Sequence, residues 1–403
     1  MNSAPTIRTP TTLHPENTAA LVDIISEARA TSTRLEIIGG GTTRTFGDAV
    51  TADAVLDLSR LSGIDFYEPE ELVIKVRAGT SVAEIRDVLA AKNQHLAFEP
   101  PDYAAFFGNP AATGSIGGII ASNFAGPRRI QAGAPRDAIL GVEGVNGRGE
   151  AFKGGGRTVK NVTGYDIPKL MTGSFGVLAA LSSVTLKVLP APPCEVTLLL
   201  SGLTDVEAIE LLSDILGTPA DLSAAAHWGG PLSGSLLTAL RLEGISESVI
   251  ARKAELENRL RKVSDVRTIA AEESRAFWRG VRDLSAFSAE PAACVWRLML
   301  PGTKAAQVVA DLGGEAIYDW GGSQVFLRSE PGATAKHALT IRSRVDEAGG
   351  NACLLRAPAA LRRQIGTFQP RTEALTALRE RVRRMFDPSA ILNPGKIVSL
   401  GGS

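Results

Sequence analysis

The sequence has 403 residues, of which 44% are hydrophobic and 21% are charged, so it predicts a folded protein with room for two structural units. Its 43 basic and 43 acidic residues cancel, which argues against nucleic-acid binding. The sequence contains no run of about 18 apolar residues, so it predicts no helix that inserts into a membrane. The first twelve residues lack the apolar core of a secretory signal, and three distant cysteines without a CxxC pair favour a reducing compartment, so we expect a cytoplasmic protein.

The first 190 residues alternate short apolar runs, glycine turns and amphipathic helices. Apolar residues between Leu21 and Ala28 recur at helical spacing, and Ser81 with Glu84 is a capping-box pair that predicts a helix over residues 82–92. The predicted strands are 35–38, 55–58, 72–76 and 184–188, together with a hairpin formed by 139–145 and 150–153.

Prolines at positions 190, 192 and 193 mark a change in composition, after which the glycine clusters stop. Residues 294–355 predict the order strand, helix, strand, strand, helix, strand, which is the ferredoxin-like arrangement. Residues 195–270 fit the same order, with Thr204 and Glu207 capping the first helix. We therefore predict an α+β protein with a first domain in residues 1–192, a second domain with an antiparallel sheet backed by helices in residues 193–357, and a C-terminal segment in residues 358–403 that contains a helix over 373–385.

Three segments of the first domain are candidates for a binding site. Residues 39–47 follow a strand directly, and successive N–H groups in such a glycine loop can form a nest for a phosphate, although a tight turn is the alternative. Residues 109–126 place the donors of Thr113 and Ser115 beside paired glycines, and the alternative is a glycine-rich packing segment. Residues 160–178 are the third candidate, but taken alone they are of low specificity, because the alternative is an ordinary loop followed by a buried strand.

In this order, and with the ending Asn393-Pro394-Gly395-Lys396, the segments resemble the vanillyl-alcohol oxidase/PCMH-type FAD-binding flavoproteins over essentially the whole chain. The strings KNVTGYDIPKLMTGSFGVLAALSSVTLKVLP and FDPSAILNPGKIV are most similar to those of the E subunits of bacterial glycolate oxidase. The resemblance implies a two-subdomain PCMH-type FAD-binding domain in residues 1–192, an α+β (ferredoxin-like) cap domain in residues 193–357 that covers the isoalloxazine ring, and a tail that returns to the FAD domain.

In that family the first loop and the 114–118 segment hold the FAD pyrophosphate through backbone N–H groups, and the strand after Gly176 lies near the adenine. Carried over to this sequence, the resemblance implies that the FAD is bound by Ile38, Gly39, Gly40, Gly41, Thr42, Thr43, Gly47, Pro110, Thr113, Gly114, Ile116, Gly117, Gly118, Ala121, Asn123, Gly126, Gly176, Leu181, Asn393 and Lys396. The glycine loop contains no histidine and no cysteine precedes residue 194, so we expect non-covalent FAD.

The second half of the chain lacks the paired-histidine metal motif that related 2-hydroxy-acid dehydrogenases carry. No two of His14, His95, His227 and His337 are close in sequence, so we expect no metal site and identify no catalytic residue. The resemblance then implies an FAD-binding subunit of a glycolate oxidase (dehydrogenase) complex, which relays electrons or supports a catalytic flavoprotein subunit and an iron–sulfur subunit. Any contact with the inner membrane is expected to come through those partners.

Two other functions stay open. One is a self-sufficient FAD-dependent oxidoreductase for another small hydroxylated substrate, in which Tyr165, Arg136 or Lys160 binds or activates the substrate. The other is a non-catalytic structural subunit that keeps the fold. The arginines at 362, 363, 379, 381, 383 and 384 are either a solvated helix face or a docking surface for partner subunits.

Overall fold

The structure is a computed structural model that describes residues 11–157, 164–229, 236–329 and 334–397. In the described residues up to 190, the strands are β1 (Thr11–Leu13), β2 (Leu35–Ile38), β3 (Ala54–Asp57), β4 (Ile64–Glu68), β5 (Val73–Arg77), β6 (Gln94–His95), β7 (Ile139–Asn146), β8 (Ala151–Gly155), β9 (Ala179–Lys187) and β10 (Leu189–Pro190). The helices there are α1 (Thr18–Ala30), α2 (Val82–Ala90), α3 (Ile116–Ser122), α4 (Arg129–Ala132), α5 (Pro135–Ala138) and α6 (Ile167–Met171).

Two sheets carry this part of the chain. One is a parallel sheet with the order β1-β3-β2. The other is an antiparallel sheet with the order β4-β5-β9-β7-β8. In addition, β6 and β10 form a short antiparallel pair. Leu21 and Ile25 of α1 pack with Leu35 of β2 and with Leu392 from the far end of the chain. The antiparallel sheet buries its apolar face against α2 and α3. The glycine loop that follows β2 therefore leaves one sheet and approaches the elements packed on the other.

The second part of the chain holds one large sheet. Its strands are β11 (Cys194–Ser201), β12 (Ala224–Gly229), β13 (Leu237–Gly244), β14 (Val266–Ala270), β15 (Val295–Met299), β16 (Glu315–Asp319), β17 (Gln324–Arg328) and β18 (Asn351–Arg356). Its helices are α7 (Asp205–Leu216), α8 (Ser246–Leu260), α9 (Ala271–Arg282), α10 (Ala305–Leu312) and α11 (Ala335–Glu347), and the tail adds α12 (Ala359–Ile365) and α13 (Glu373–Phe386).

The strand order β14-β11-β13-β12-β16-β17-β15-β18 consists of two ferredoxin-like units that join through β12 and β16. Every strand pairing in this sheet that the structure describes is antiparallel, and helices α7, α8, α10 and α11 cover one face. The predicted α+β fold with a ferredoxin-like second part is therefore confirmed. The capping box at α7 is also confirmed, because the Glu207 N–H donates to the Thr204 hydroxyl and the Thr204 N–H donates to the Glu207 carboxylate.

The other face of the large sheet packs on the first part of the chain. Ala224, Ile317 and Phe326 of the sheet share one apolar cluster with Phe46 and Phe124. This contact places the large sheet over the loops that follow β2 and α3, as a cap would lie. The boundaries at 192 and 357 stay a prediction.

Several element bounds differ from the sequence-based ones for identifiable reasons. β9 begins at Ala179 rather than at residue 184, because Ala179 to Leu186 are all buried and the residues before Ser183 show no alternation of polar and apolar side chains. β3 ends at Asp57, whose carboxylate accepts the Ser59 N–H and turns the chain. In the described stretches of the chain, no helix is long and apolar enough to cross a membrane.

Candidate cofactor-binding site

A cleft of about 960 Å³, open to solvent, lies where four segments of the chain meet. Its walls come from the end of β2 and the glycine loop, from α3, from the residues before and within β9, and from the C-terminal tail. These are the segments that the sequence singled out, brought together although they are up to some 350 residues apart.

The structure brings many of the predicted residues into the lining of this cleft. They are Ile38, Gly39, Gly40, Gly41, Thr42, Thr43, Gly117, Gly118, Ala121, Gly176, Leu181, Asn393 and Lys396. The predicted residues that do not line it are Gly47, Pro110, Thr113, Gly114, Ile116, Asn123 and Gly126. The assignment of all twenty predicted residues to the FAD stays a prediction, and the structure gives several of those outside the lining another surrounding.

The predicted residues outside the lining have several different surroundings. Ile116 is fully buried in the apolar core, and Gly126 faces Glu99 while its carbonyl accepts the indole N–H of Trp320. Asn123 adopts the left-handed conformation at the end of α3, and its side chain accepts the Arg136 N–H. Thr113 and Pro110 are exposed beside the cleft.

The glycine loop is shaped by two different requirements. A Cβ on Gly40 would lie 1.4 Å from the carbonyl oxygen of Thr113, and one on Gly39 would lie 2.2 Å from the Ser115 hydroxyl. These two glycines let the loop pack directly on the segment before α3. Gly41 is different, because its φ is +76° and an added Cβ would meet nothing within 4 Å. The loop therefore packs tightly at its start and turns into open space at the cleft.

Unpaired backbone donors are concentrated in this loop. The N–H groups of residues 40–43 donate no hydrogen bond to any part of the chain that the structure describes. In contrast, the N–H groups of Ile116, Gly117 and Gly118 donate to Thr80, Ala78 and Ser115. The loop after β2 therefore has unpaired N–H groups that can donate hydrogen bonds to an anionic group.

The C-terminal tail closes one side of the cleft. The Asn393 side chain accepts the Ile37 N–H at 2.6 Å and donates to the Phe175 carbonyl at 2.8 Å, so it ties β2 to the segment before β9. Gly176 and Gly47 make room for the tail, since a Cβ would approach Asn393 to 2.7 Å at the first and Lys396 to 3.0 Å at the second. The role of Gly47 in the structure is therefore to admit Lys396.

Three charged side chains line the cleft. Arg44 and Glu36 form a two-pronged ion pair, with nitrogen–oxygen distances of 2.9 and 2.6 Å. The Lys396 ammonium group donates to the Arg44 carbonyl at 2.9 Å. Burial lowers the pKa of Lys396 to about 8, with Glu36 opposing the shift and Arg362 and Arg44 adding to it. At neutral pH the cleft therefore holds one lysine whose positive charge has no carboxylate at hydrogen-bond distance among the described residues.

An aromatic wall separates the cleft from the large sheet. Phe46 and Phe175 line the cleft, with their ring centres 5.6 Å apart, and Phe368 lies 5.8 Å from Phe46. Phe124 lies 5.2 Å from Phe46 on the other side. Rings at these separations pack favourably and exclude water from the space beneath the sheet.

Sequence reasoning assigned no individual role to several residues of the cleft, among them Glu36, Arg44, Phe46, Ser174 and Phe175, although it named Ser115 as a candidate donor. Two signals were present. Glu36 is a charged residue in an apolar strand, and Phe46 is an aromatic residue in a loop of small polar residues. The pairing of Glu36 with Arg44 depends on how the loop folds back, which the spacing does not reveal.

The residues named for a separate substrate site do not meet at the cleft. Tyr165 is 93% exposed, Arg136 is exposed, and neither lines the cleft, while Lys160 lies outside the described residues. His227 is fully buried, and its two ring nitrogens face Thr238 at 2.9 Å and Asp205 at 3.1 Å, so it is a structural histidine. In the parts of the chain that the structure describes, no group of three or more His, Cys, Asp or Glu residues could hold a metal ion.

The cleft fits FAD. The free N–H groups of residues 40–43 and the Lys396 ammonium group suit its two phosphates, and the apolar side chains of Ile38, Ala179 and Leu181 suit its flat rings. Of the described residues that line the cleft, none is a histidine, cysteine or tyrosine that could form a covalent link to the flavin.

Comparisons with known proteins agree with this geometry. A family model described as "FAD binding domain" matches residues 10–155. Glycolate oxidase subunit GlcE of Escherichia coli (strain K12) is 30% identical over 378 residues, which cover 94% of this chain and 96% of that protein. Glycolate oxidase subunit GlcD of Bacillus subtilis (strain 168) is 29% identical over 203 residues, which cover 50% of this chain and 42% of that protein.

Among solved structures, 4-ethylphenol oxidase from Gulosibacter chungangensis matches 96% of this chain and 88% of its own, with a TM-score of 0.70 and 14% sequence identity. At that identity the match shows the fold alone. The similarity to GlcE over almost the whole of both proteins establishes that the chain belongs to the PCMH-type family of FAD-binding flavoproteins and is an FAD-dependent oxidoreductase.

Proposed function

We propose that this chain is the FAD-binding subunit of a glycolate oxidase complex, which oxidises glycolate to glyoxylate. In this proposal it holds its FAD non-covalently and relays electrons to or from a catalytic flavoprotein subunit, with an iron–sulfur subunit as the third partner. Support comes from two relatives that are named as glycolate oxidase subunits, GlcE along nearly its whole length and GlcD along part of it. We further infer a cytoplasmic protein that reaches the inner membrane, if at all, through its partners.

The chain's own residues supply binding and shape. The N–H groups of residues 40–43 and the Lys396 ammonium group would hold the pyrophosphate, while Ile38, Ala179 and Leu181 would pack on the rings. Asn393 holds two walls of the cleft together by joining Ile37 to Phe175. Bound FAD supplies the redox chemistry, because its flavin accepts and passes on electrons.

One observation carries the choice between an electron-transfer subunit and a self-sufficient dehydrogenase. The charged side chains among the described residues of the cleft are Glu36, Arg44 and Lys396, and the first two neutralise each other. A hydroxy-acid dehydrogenase needs a group that takes the hydroxyl proton and a cation that holds the carboxylate. Lys396 alone would have to serve both the FAD phosphates and a substrate, so the cleft is better suited to FAD alone.

The aromatic wall strengthens this choice. Phe46, Phe124, Phe175 and Phe368 fill the space between the cleft and the large sheet, where a small polar substrate would otherwise lie against the cap. Electrons, in contrast, can pass through packed aromatic groups without any binding site.

The test is the visible spectrum of the purified chain under anaerobic conditions. We expect flavin bands at about one FAD per chain, no bleaching when glycolate is added, and bleaching when a catalytic amount of the purified catalytic flavoprotein subunit is then included. Acid precipitation should leave the FAD in the supernatant, because no covalent bond retains it.

Other outcomes would count against the proposal in different ways. A chain that neither carries FAD nor binds it on titration has lost the cofactor and is a structural subunit. Bleaching by glycolate alone would mean that the chain has its own substrate site. Flavin that stays oxidised in the presence of both glycolate and the partner would remove the electron-transfer role.

A further inference from the structure

Helix α13 is packed unlike the other long helices of the chain. None of its fourteen residues is buried, whereas α1 and α11, of similar length, each bury at least three side chains. Val382 and Phe386 touch the apolar core only with partly buried side chains. The helix is therefore held at the surface by few contacts, and much of its side-chain surface faces outwards.

Apolar residues form a stripe on the exposed side of α13. Leu375, Leu378 and Met385 are 51%, 46% and 65% exposed. They are three and then seven residues apart, so they lie on one side of the helix, next to Val382. Single exposed apolar residues need no explanation, but a continuous stripe on a poorly packed helix marks an interaction surface.

A groove of about 1430 Å³ runs along the same helix. One wall is formed by Thr376, Arg379 and Arg383 of α13, and the opposite wall is formed by Leu170 of α6 and Val177. The tail residues Leu392 to Gly395 complete the lining. The groove and the FAD cleft share Ser174 and Asn393, so they are neighbours across the same short segments.

The charge of this region is strongly biased in a chain that is neutral overall. Residues 359–386 contain seven arginines and two glutamates, and no lysine or aspartate. Glu380 forms ion pairs with Arg383 and Arg384. Arg371 and Arg381 are not part of these pairs, and both are exposed. A partner that covers the stripe would therefore bind best if the residues flanking its apolar face were acidic, because they would attract these arginines.

We propose that the stripe and the groove form the docking surface for an amphipathic helix of the catalytic flavoprotein subunit, a helix with an apolar face and acidic flanks. The inference rests on the proposed function and names the surface through which that complex is made. Val382 lines the groove and adjoins the stripe, so a helix that lies along this edge of α13 covers both with its apolar face. A flat lipid surface could touch the stripe but could not enter the groove between α13 and α6, and the exposed stripe offers no aromatic residue for a membrane interface.

Docking at this surface has a consequence for the cofactor. Asn393 lines both the groove and the cleft, and its side chain ties Ile37 to Phe175 at the cleft wall. A partner that holds the tail in place would stabilise this bridge between the cleft walls. Because such coupling is reciprocal, the partner should slow FAD release, and FAD should tighten partner binding.

The experiment measures binding of the FAD-loaded chain to the purified catalytic flavoprotein subunit by biolayer interferometry. Met385→Glu places a negative charge in the stripe, and Ile250→Glu is the matched control, because Ile250 is also 65% exposed but lies on α8 of the large-sheet part. We expect about tenfold or greater weakening for Met385→Glu and no more than about twofold for the control. Arg381→Glu should weaken binding by about threefold at low salt, mainly by slowing association. The flavin spectrum and the unfolding midpoint should be unchanged in all three variants.

Several results would overturn the inference, and they differ from those that overturn the proposed function. If the wild-type chain binds the partner and Met385→Glu binds equally well, the docking surface is elsewhere while the complex stands. If the wild-type chain does not bind the partner at all, the complex itself fails. Loss of binding to phosphatidylserine vesicles in Met385→Glu, with partner binding retained, would assign the stripe to lipid. Loss of a wild-type dimer in sedimentation velocity, again with partner binding retained, would assign it to a second copy.

Discussion

The cleft and the ionic cluster beneath the large sheet handle polar groups in opposite ways. Residues 40–43 line the cleft, and their N–H groups have no hydrogen-bond partner among the described residues. In the ionic cluster, which consists of Glu99, Arg128, Arg241 and Glu243, nearly all the charge is neutralised by direct contacts inside the protein. Buried polar groups are normally paired, so pairing marks structure and unpaired donors at an open cleft mark a ligand.

The ionic cluster also joins the two halves of the chain. Arg241 of β13 binds Glu99 through two hydrogen bonds of 2.8 and 2.9 Å, and Arg128 binds Glu243 at 2.7 Å. Burial by itself would raise the pKa of Glu99, but the charges of Arg241 and Arg128 outweigh it and hold that pKa below its ordinary range. Glu99 is therefore ionised, and the large sheet is anchored to the FAD-binding part by charge as well as by the aromatic wall.

Removing Arg241 should have the largest effect on stability. Arg241→Met leaves the Glu99 and Glu243 carboxylates buried with one cation fewer, and breaking a buried ion pair from one side costs about 3–5 kcal/mol. We expect a clear fall in the urea midpoint of unfolding at pH 7. Because the pKa of Glu99 is lowered in the folded state, the stabilisation is present above about pH 4.3 and is lost as the pH falls further, so the two proteins should converge in acid.

The control is Arg267→Met. Arg267 lies on β14 and forms an exposed ion pair with Glu273. Exposed pairs contribute about 0–1 kcal/mol, so its midpoint should stay close to that of the wild type. Equal midpoints for the two variants would show that the ionic cluster is not what anchors the large sheet.

Gly40→Ala should have the largest effect on the cleft. The added Cβ would lie 1.4 Å from the Thr113 carbonyl, so the loop must move away from the segment before α3 and redirect the N–H groups of residues 40–43. We expect FAD affinity to fall about a hundredfold, close to 2.7 kcal/mol, measured by titrating FAD into the apoprotein and following flavin fluorescence.

Gly280→Ala is the control, since Gly280 lies within α9 and an added Cβ meets nothing within 4 Å. Alanine should leave FAD affinity unchanged there and raise helix stability by up to about 1 kcal/mol. If Gly40→Ala binds FAD as tightly as the wild type, the close approach of the two segments does not shape the cofactor site.

The parts of the fold that were predictable from the sequence are those with local signals. β2 matches its predicted bounds, α13 ends one residue beyond its predicted end, and the Thr204–Glu207 pair marks the start of α7, because amphipathic spacing and caps act within a few residues. The glycine loop was recognisable for a similar reason, since it directly follows the short strand β2.

The details of the cleft depend on contacts between distant segments, which leave no local pattern. Asn393 reaches Ile37 across 356 positions, and Gly176 is needed because that same side chain packs against it. The resemblance to a family placed Asn393 and Lys396 at the site, but no spacing indicates that Gly47 makes room for Lys396. The same holds for the aromatic wall, because Phe46, Phe175 and Phe368 meet only in the folded chain.

Lys396→Met should have a moderate effect that depends on pH. With a pKa of about 8, Lys396 is mostly charged at pH 7 and mostly neutral at pH 9, and a bound pyrophosphate favours the charged form. Wild-type FAD affinity should therefore fall as the pH rises through about 8, whereas the variant should bind about three- to tenfold more weakly at pH 7 and show a flat profile over this range. Lys153→Met, at an exposed lysine outside the cleft, should keep the wild-type profile. A variant profile with the same slope as that of the wild type would assign the titration to another group.

Thr204→Ala should have the smallest effect and tests whether the two regions are independent. It removes the hydroxyl that caps α7, on the helical face of the large sheet and away from the cleft, so stability should fall by about 1 kcal/mol. FAD affinity should not change, because the aromatic wall and the ionic cluster face the opposite side of that sheet. Thr218→Ala is a comparison variant, since that hydroxyl donates to the Ile215 carbonyl at the other end of the same helix. If Thr204→Ala weakened FAD binding more than about threefold, local opening of α7 would reach the cleft, and the large sheet would act on the cofactor as a regulator rather than as a rigid cover.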